Sequence, residues 1–124
     1  MKVLVVDGDE GVRSTLSSVL EPEGYVVTVA ANGGDALSRA LADQPDFILY
    51  DLGVPDLDAL EFLGQYTAGR GDALVIVMCA YGSNEIALAV MNAGAYDVLP
   101  KPFTTDEVVL TLRKAELREA REMG

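Results

Sequence analysis

The chain contains no histidine and a single cysteine, and only nine of its 124 residues are lysine or arginine. The first absence excludes a histidine-ligated zinc site and any triad built on an imidazole base. The second excludes an internal disulfide. With Cys79 inside an apolar run, a reduced, cytoplasmic setting is expected. Twenty acidic residues against nine basic ones leave a net charge of −11. Direct nucleic-acid binding by this chain is not expected, because it needs a basic surface. The acidity suits a divalent cation, or simply solubility. Half the residues are hydrophobic, yet no run approaches the roughly 20 needed to cross a bilayer, so no membrane partner is expected. Met1-Lys2-Val3-Leu4 enters a strand pattern that Asp7 soon interrupts, unlike a secretion signal. The length fits one domain, residues 1–124, with no low-complexity linker dividing it.

What is present is organised around Phe47-Ile48-Leu49-Tyr50-Asp51. An unbroken apolar run, bounded by Pro45-Asp46 and by Leu52-Gly53-Val54-Pro55-Asp56, reads as a strand buried on both faces. Val3–Val6 reads the same way and ends in Asp7-Gly8-Asp9-Glu10; Tyr25–Ala30, Ala73–Cys79 and Tyr96–Leu99 complete five strands. Helices are predicted between them. The first carries Val12, Leu16, Val19 and Leu20, and Pro22-Glu23-Gly24 stops it. The second turns its inner face through Ala36, Leu37, Ala40 and Leu41. Asp58 caps a third with Leu60 and Leu63, and Ser83 caps a fourth with Ile86, Ala89, Val90 and Ala93 inward. Thr104 and Glu107 form a capping box for a last helix from about 104 to 123. Its end, Arg113 to Glu122 with Arg118 and Glu122 at i, i+4, is either a solvated terminus or the start of a linker to an output domain.

Strand and helix alternate five times, with strands starting roughly every 22 to 26 residues. The expected fold is α/β: a flavodoxin-like, doubly wound, five-stranded parallel sheet with five helices. The strand order 2-1-3-4-5 is adopted by analogy with known sheets of this kind. In that order the ends of the first and third strands meet at a switch point, where ligands collect. Four strand ends then carry Asp7 with Asp9, Asp51, Cys79 and Lys101. Carboxylates beside one lysine suit phosphoryl transfer: an aspartate can become an acyl phosphate, and the lysine balances charge on the transferred group. Magnesium takes one or two carboxylates with phosphoryl oxygens and water.

Five segments carry a family resemblance. They are Val3-Leu4-Val5-Val6-Asp7, Pro45 through Pro55, Ala80-Tyr81-Gly82-Ser83, Gly94-Ala95-Tyr96-Asp97 and Lys101-Pro102-Phe103. Each is weakly specific alone; in this order and spacing they make the whole chain resemble a receiver domain of a two-component response regulator. The resemblance implies that Asp51 accepts phosphate from a histidine kinase, that Lys101 contacts the phosphoryl group, and that Asp7, Asp51 and the Gly53 carbonyl hold Mg2+. It implies a cis Lys101–Pro102 bond and a switch position at Cys79. An output domain of its own, or a second copy, would pair through the Ser83–Thr111 face. Tyr81 and Tyr96 either line that face or are half-buried packing residues. The Ala80–Phe103 run resembles receivers of sigma-54-type transcription activators, which implies transcription as the output. Any enzymatic activity would be limited to self-phosphotransfer and autodephosphorylation at Asp51.

Departures from the family pattern bear on this. Gly8 stands where a second acid normally binds magnesium. Asp9 reaches the site only if the chain bends at Gly8, and otherwise starts the first helix. Cys79 replaces a switch hydroxyl, Val98 an aromatic ring, and Ala59 a glycine. One alternative is a phosphate-independent pseudo-receiver that signals by docking. A second is a haloacid-dehalogenase-like phosphatase with Asp7 as nucleophile. A flavin binder of the same fold is disfavoured, because Asp7-Gly8-Asp9-Glu10 would repel a phosphate there.

Overall fold

The structure is a computed structural model that describes the backbone of residues 1–123 and the side chains of residues 1–119. Five strands alternate with five helices: β1 (Lys2–Val6), α1 (Glu10–Leu20), β2 (Val26–Ala30), α2 (Gly33–Asp43), β3 (Phe47–Asp51), α3 (Ala59–Ala68), β4 (Leu74–Ala80), α4 (Asn84–Asn92), β5 (Asp97–Lys101) and α5 (Thr105–Met123). A 3₁₀ turn, Glu21–Glu23, follows α1. All pairings are parallel and the strand order is 2-1-3-4-5, as adopted by analogy.

The unbroken apolar runs are explained by burial on both sheet faces. Leu4, Val6, Ile48, Tyr50, Val75 and Val77 point into one core with α2, α3 and α4. Val3, Val5, Phe47, Leu49, Ile76 and Met78 point into the other, packed by Leu16 and Leu20 of α1 and by Val108, Leu112 and Ala115 of α5. In β3, Phe47 through Tyr50 are fully buried. Each such side chain contributes about 1.5–3 kcal/mol of transfer free energy, so β3 is firmly anchored and Asp51 emerges from a fixed base.

Caps account for several helix starts. Asp58 accepts from the Glu61 N–H at 2.9 Å. Thr104 Oγ1 accepts from the Glu107 N–H at 3.1 Å while Glu107 Oε1 accepts from the Thr104 N–H at 3.2 Å, the reciprocal box expected. Asn32 caps α2 by accepting from the Asp35 N–H at 2.8 Å.

Three expectations are corrected. Ser83 makes no side-chain cap bond at α4. On α4 only Val90 is fully buried; Ile86 and Ala93 are exposed. On α3 it is Phe62, Leu63 and Tyr66 that are buried, while Leu60 is exposed. The reason is shared. These helices are apolar over more than one face, so spacing alone cannot choose which face meets the sheet. Boundaries also move slightly: β5 extends through Pro100 to Lys101, and a proline is tolerated there because β5 is an edge strand. The Lys101–Pro102 bond is cis. Glu122, predicted to pair with Arg118, lies outside the described side chains.

Candidate functional site

Register brings the carboxylates together. Val6 of β1 pairs with Tyr50 of β3, so the residues that follow them, Asp7 and Asp51, leave neighbouring strands at the same level. Ala80 of β4 pairs with Lys101 of β5, and Asp51 pairs with Met78 of β4. Lys101 therefore has to cross β4 to reach Asp51, about 10 Å at ordinary strand spacing, and Asp7 follows the strand one further on, β1. A four-carbon stem with a point charge at its end can make that reach. Its Nζ lies 2.6 Å from Asp7 Oδ2 and 3.1 Å from Asp51 Oδ1. Burial pulls the Lys101 amine down, but the hydrogen bonds and charges of Asp7 and Asp51 outweigh it and hold it above the usual lysine range.

The two acids are not equivalent. Asp7 is sealed: its side chain is 3% exposed, Oδ2 takes Lys101, and Oδ1 accepts from the Asp9 N–H at 2.9 Å. Arg13 donates to the Asp7 carbonyl at 2.7 Å. Asp51 is more open at 16%, which makes it the more accessible carboxylate of the pair. A Cβ on Gly53 would lie 3.2 Å from Asp51 Oδ2, so position 53 runs directly against that carboxylate.

Asp9 is the N-cap of α1, its side chain accepting from the Gly11 N–H at 2.8 Å. A Cβ on Gly8 would meet only the Ala31 carbonyl at 3.9 Å, so position 8 is open. Among the described residues no three His, Cys, Asp or Glu side chains converge as a metal-ligand group. What remains for a cation is the pair of carboxylates, Asp7 and Asp51, with the backbone at position 53 running against the second. That set matches the low carboxylate demand of magnesium. Cys79 is buried near the end of β4, and burial pushes its thiol up. Val98 is half-buried against the core that contains Val90. Tyr81 is exposed, whereas Tyr96 is half-buried with the Arg118 guanidinium 5.3 Å above its ring. Ile86, Leu88 and Met91 of α4 and Leu110 of α5 are exposed apolar side chains.

Sequence reasoning missed Asp56. Its carboxylate accepts from the N–H groups of Gly33 at 2.8 Å and Gly34 at 3.0 Å. Those bonds hold its carboxyl below the ordinary aspartate value. The one available signal was the pair of glycines opening α2, whose bare backbone lets a carboxylate approach. Tyr50 was read only as an apolar strand residue, yet its buried hydroxyl donates to the Leu57 carbonyl.

A family model described as "Response regulator receiver domain" matches residues 3–113. The response regulator MprA of Mycobacterium avium (strain 104) is 38% identical over 113 residues, covering 91% of this chain and 50% of the relative. The chain thus spans about half the length of the curated relatives it matches. The receiver domain of the Francisella response regulator 1452 superposes with a TM-score of 0.88 at 30% identity, covering 95% of this chain and 98% of that one. The beryllofluoride-activated NtrC4 receiver domain dimer gives a TM-score of 0.85 at 34% identity, covering 92% and 94%.

Proposed function

Since the chain belongs to the receiver domains of response regulators, we propose that Asp51 accepts a phosphoryl group from a phosphohistidine of a histidine kinase. Asp51 attacks phosphorus, the phosphorus–nitrogen bond breaks, and the donor imidazole leaves with the bonding pair and takes up a proton. An acyl phosphate on Asp51 is the product. The observation that carries this reading is the bridge of Lys101 to both acids, with Asp51 the more open of the two. Lys101 turns its charge to the incoming phosphoryl oxygens as Asp51 is modified. Asp7, Asp51 and the Gly53 carbonyl would hold Mg2+, which supplies charge neutralisation for the transferred group. Asp9 would have to give up its helix cap to join them.

Output follows from the exposed apolar side chains of α4 and α5 within the Ser83–Thr111 face, which we assign to docking of an output domain or a second copy. The NtrC4 receiver described as a dimer in its beryllofluoride-activated form supports the second partner. The resemblance of Ala80–Phe103 to sigma-54-type activators supports transcription as the output. No described helix is long and apolar enough to cross a membrane, which is compatible with the cytoplasmic setting proposed from cysteine usage.

Acetyl phosphate with magnesium should add one phosphoryl group to the protein and none to Asp51→Asn. Uptake that persists in the variant, or maps to Asp7, sinks this reading. The sealed Asp7 side chain speaks against the dehalogenase-like alternative. A phosphate-independent docking module is favoured by one feature, the open Gly8 with Asp9 committed to its cap. It predicts no uptake by the unmodified protein at any magnesium concentration.

A further inference from the structure

The segment 52–57 leaves the sheet at Asp51 and reaches α3 without a helix or strand of its own. Besides the local bond from the Val54 N–H to the Asp51 carbonyl, hydrogen bonds tie it down at three points. The Leu52 N–H donates to the Met78 carbonyl at 2.9 Å, and the Tyr50 hydroxyl donates to the Leu57 carbonyl. The third is the Asp56 carboxylate on the Gly33 and Gly34 N–H groups. Only this last one joins the segment to a helix across the sheet end. Those N–H groups are among the first of α2, which have no partner inside the helix, and its positive end suits a carboxylate.

The fit is close on both sides. A Cβ on Gly33 would stand 2.5 Å from Leu57 Cβ and 2.6 Å from the Tyr50 hydroxyl oxygen. Any side chain there would push the segment away from α2. Gly53 lies inside this segment, against Asp51. Where its backbone sits relative to the Asp51 carboxylate therefore depends on how the segment is anchored.

We infer that Asp56 is a positioning residue for the Asp51 site: by clamping segment 52–57 to the start of α2, it holds the Gly53 backbone where a cation seated on Asp51 meets it. The inference rests on the phosphoacceptor reading above. Asp56 touches neither phosphoryl group nor cation, so its loss should alter cation affinity and leave the chemistry at saturation intact.

The test titrates Mg2+ into the isotope-labelled full chain, following the Gly53 amide, and measures acetyl phosphate uptake across the same range. Variants are Asp56→Ala, Asp56→Asn and Arg113→Ala; the last cuts the ties of α5 to Glu23 and Tyr25 far from the site. Asp56→Ala should raise half-saturating Mg2+ about tenfold, the lower end for partners outside the metal's own ligand shell. Its uptake plateau should stay unchanged. Asp56→Asn should fall between, since its remaining carbonyl oxygen can keep one glycine N–H. Hydrogen exchange at the Val54 amide, bonded to the Asp51 carbonyl at 3.3 Å, should quicken in Asp56→Ala without metal but not in Arg113→Ala. An unchanged Mg2+ midpoint in Asp56→Ala overturns the inference, as does an equal shift in Arg113→Ala. Unmodified protein that neither binds Mg2+ nor takes up phosphate overturns the phosphoacceptor reading, and this inference with it.

Discussion

Lys101 donates to Asp7 at 2.6 Å across 94 residues of sequence, and the partner it holds is almost wholly buried. Asp51 shares the same amine from a more open position. Removing the amine leaves two carboxylates facing each other without a counter-charge. Lys101→Met should destabilise the chain by about 1–3 kcal/mol, below the 3–5 typical of a fully buried broken pair because the site is partly solvated. Asp7→Asn added to that variant should recover part of the loss, measured as urea midpoints. If the second change only deepens the loss, the pairing does not stabilise the fold.

Gly8→Asp tests the missing acid. The site has room, since only the Ala31 carbonyl lies within 4 Å of a Cβ there. A restored direct ligand should strengthen Mg2+ binding by at least about tenfold, the scale set by partners outside the ligand shell. In chelator the same variant should melt earlier, because a third carboxylate repels Asp7 and Asp51. Equal affinity in both proteins would mean that Asp9 leaves its cap to bind the cation.

Cys79 should weaken the coupling between phosphorylation and the α4–α5 face. In receivers the residue at this position moves to hydrogen-bond the phosphoryl oxygen, and an aromatic ring turns into the vacated space; here that ring is replaced by Val98. A charge-assisted bond contributes roughly 1.5–3 kcal/mol, of which a thiol supplies a fraction. A near-complete switch needs about 5.5 kcal/mol of differential stabilisation. Cys79→Thr should therefore enlarge the amide shift changes that beryllofluoride causes over Ser83–Thr111. Changes already as large in the unmodified chain would show that the thiol is no handicap.

Alkaline stability should depend on Tyr25. Burial, then its hydrogen bond to Glu116 at 3.0 Å, pushes this hydroxyl up to about 12. A raised value means that the folded state holds the proton more tightly. The stabilisation is complete below the ordinary tyrosine value of 10.0 and is lost as pH climbs from there through about 12. Tyr25→Phe should melt earlier than the unmodified chain at pH 8, and the gap should close towards pH 12. Tyr50 and Tyr66 are raised as well, so some alkaline loss should remain. A gap that stays constant across this range would contradict the linkage.

Much of the fold was legible because it is written in local, periodic signals. Apolar runs marked five strands, hydroxyl and carboxylate residues marked the starts of α3 and α5, and alternation required parallel pairing. The site was legible to the same depth: Asp7, Asp51 and Lys101 each terminate a recognisable strand, and a parallel sheet gathers such ends on one edge. The buried face of α4 was not legible, since its apolar side chains surround the helix and the choice depends on the sheet beneath.

By itself, then, the sequence determined the elements, their parallel arrangement and the residues at their ends, because burial and capping act over a few positions. Tertiary structure decided what those residues face. It committed Asp9 to α1 rather than to the acidic pair, sealed Asp7 while leaving Asp51 open, and set Asp56 on the first amides of α2. Each of these outcomes depends on the spacing and register of separate elements. Side-chain reach and the backbone groups left over at loop ends then select the partner, and no local pattern encodes that.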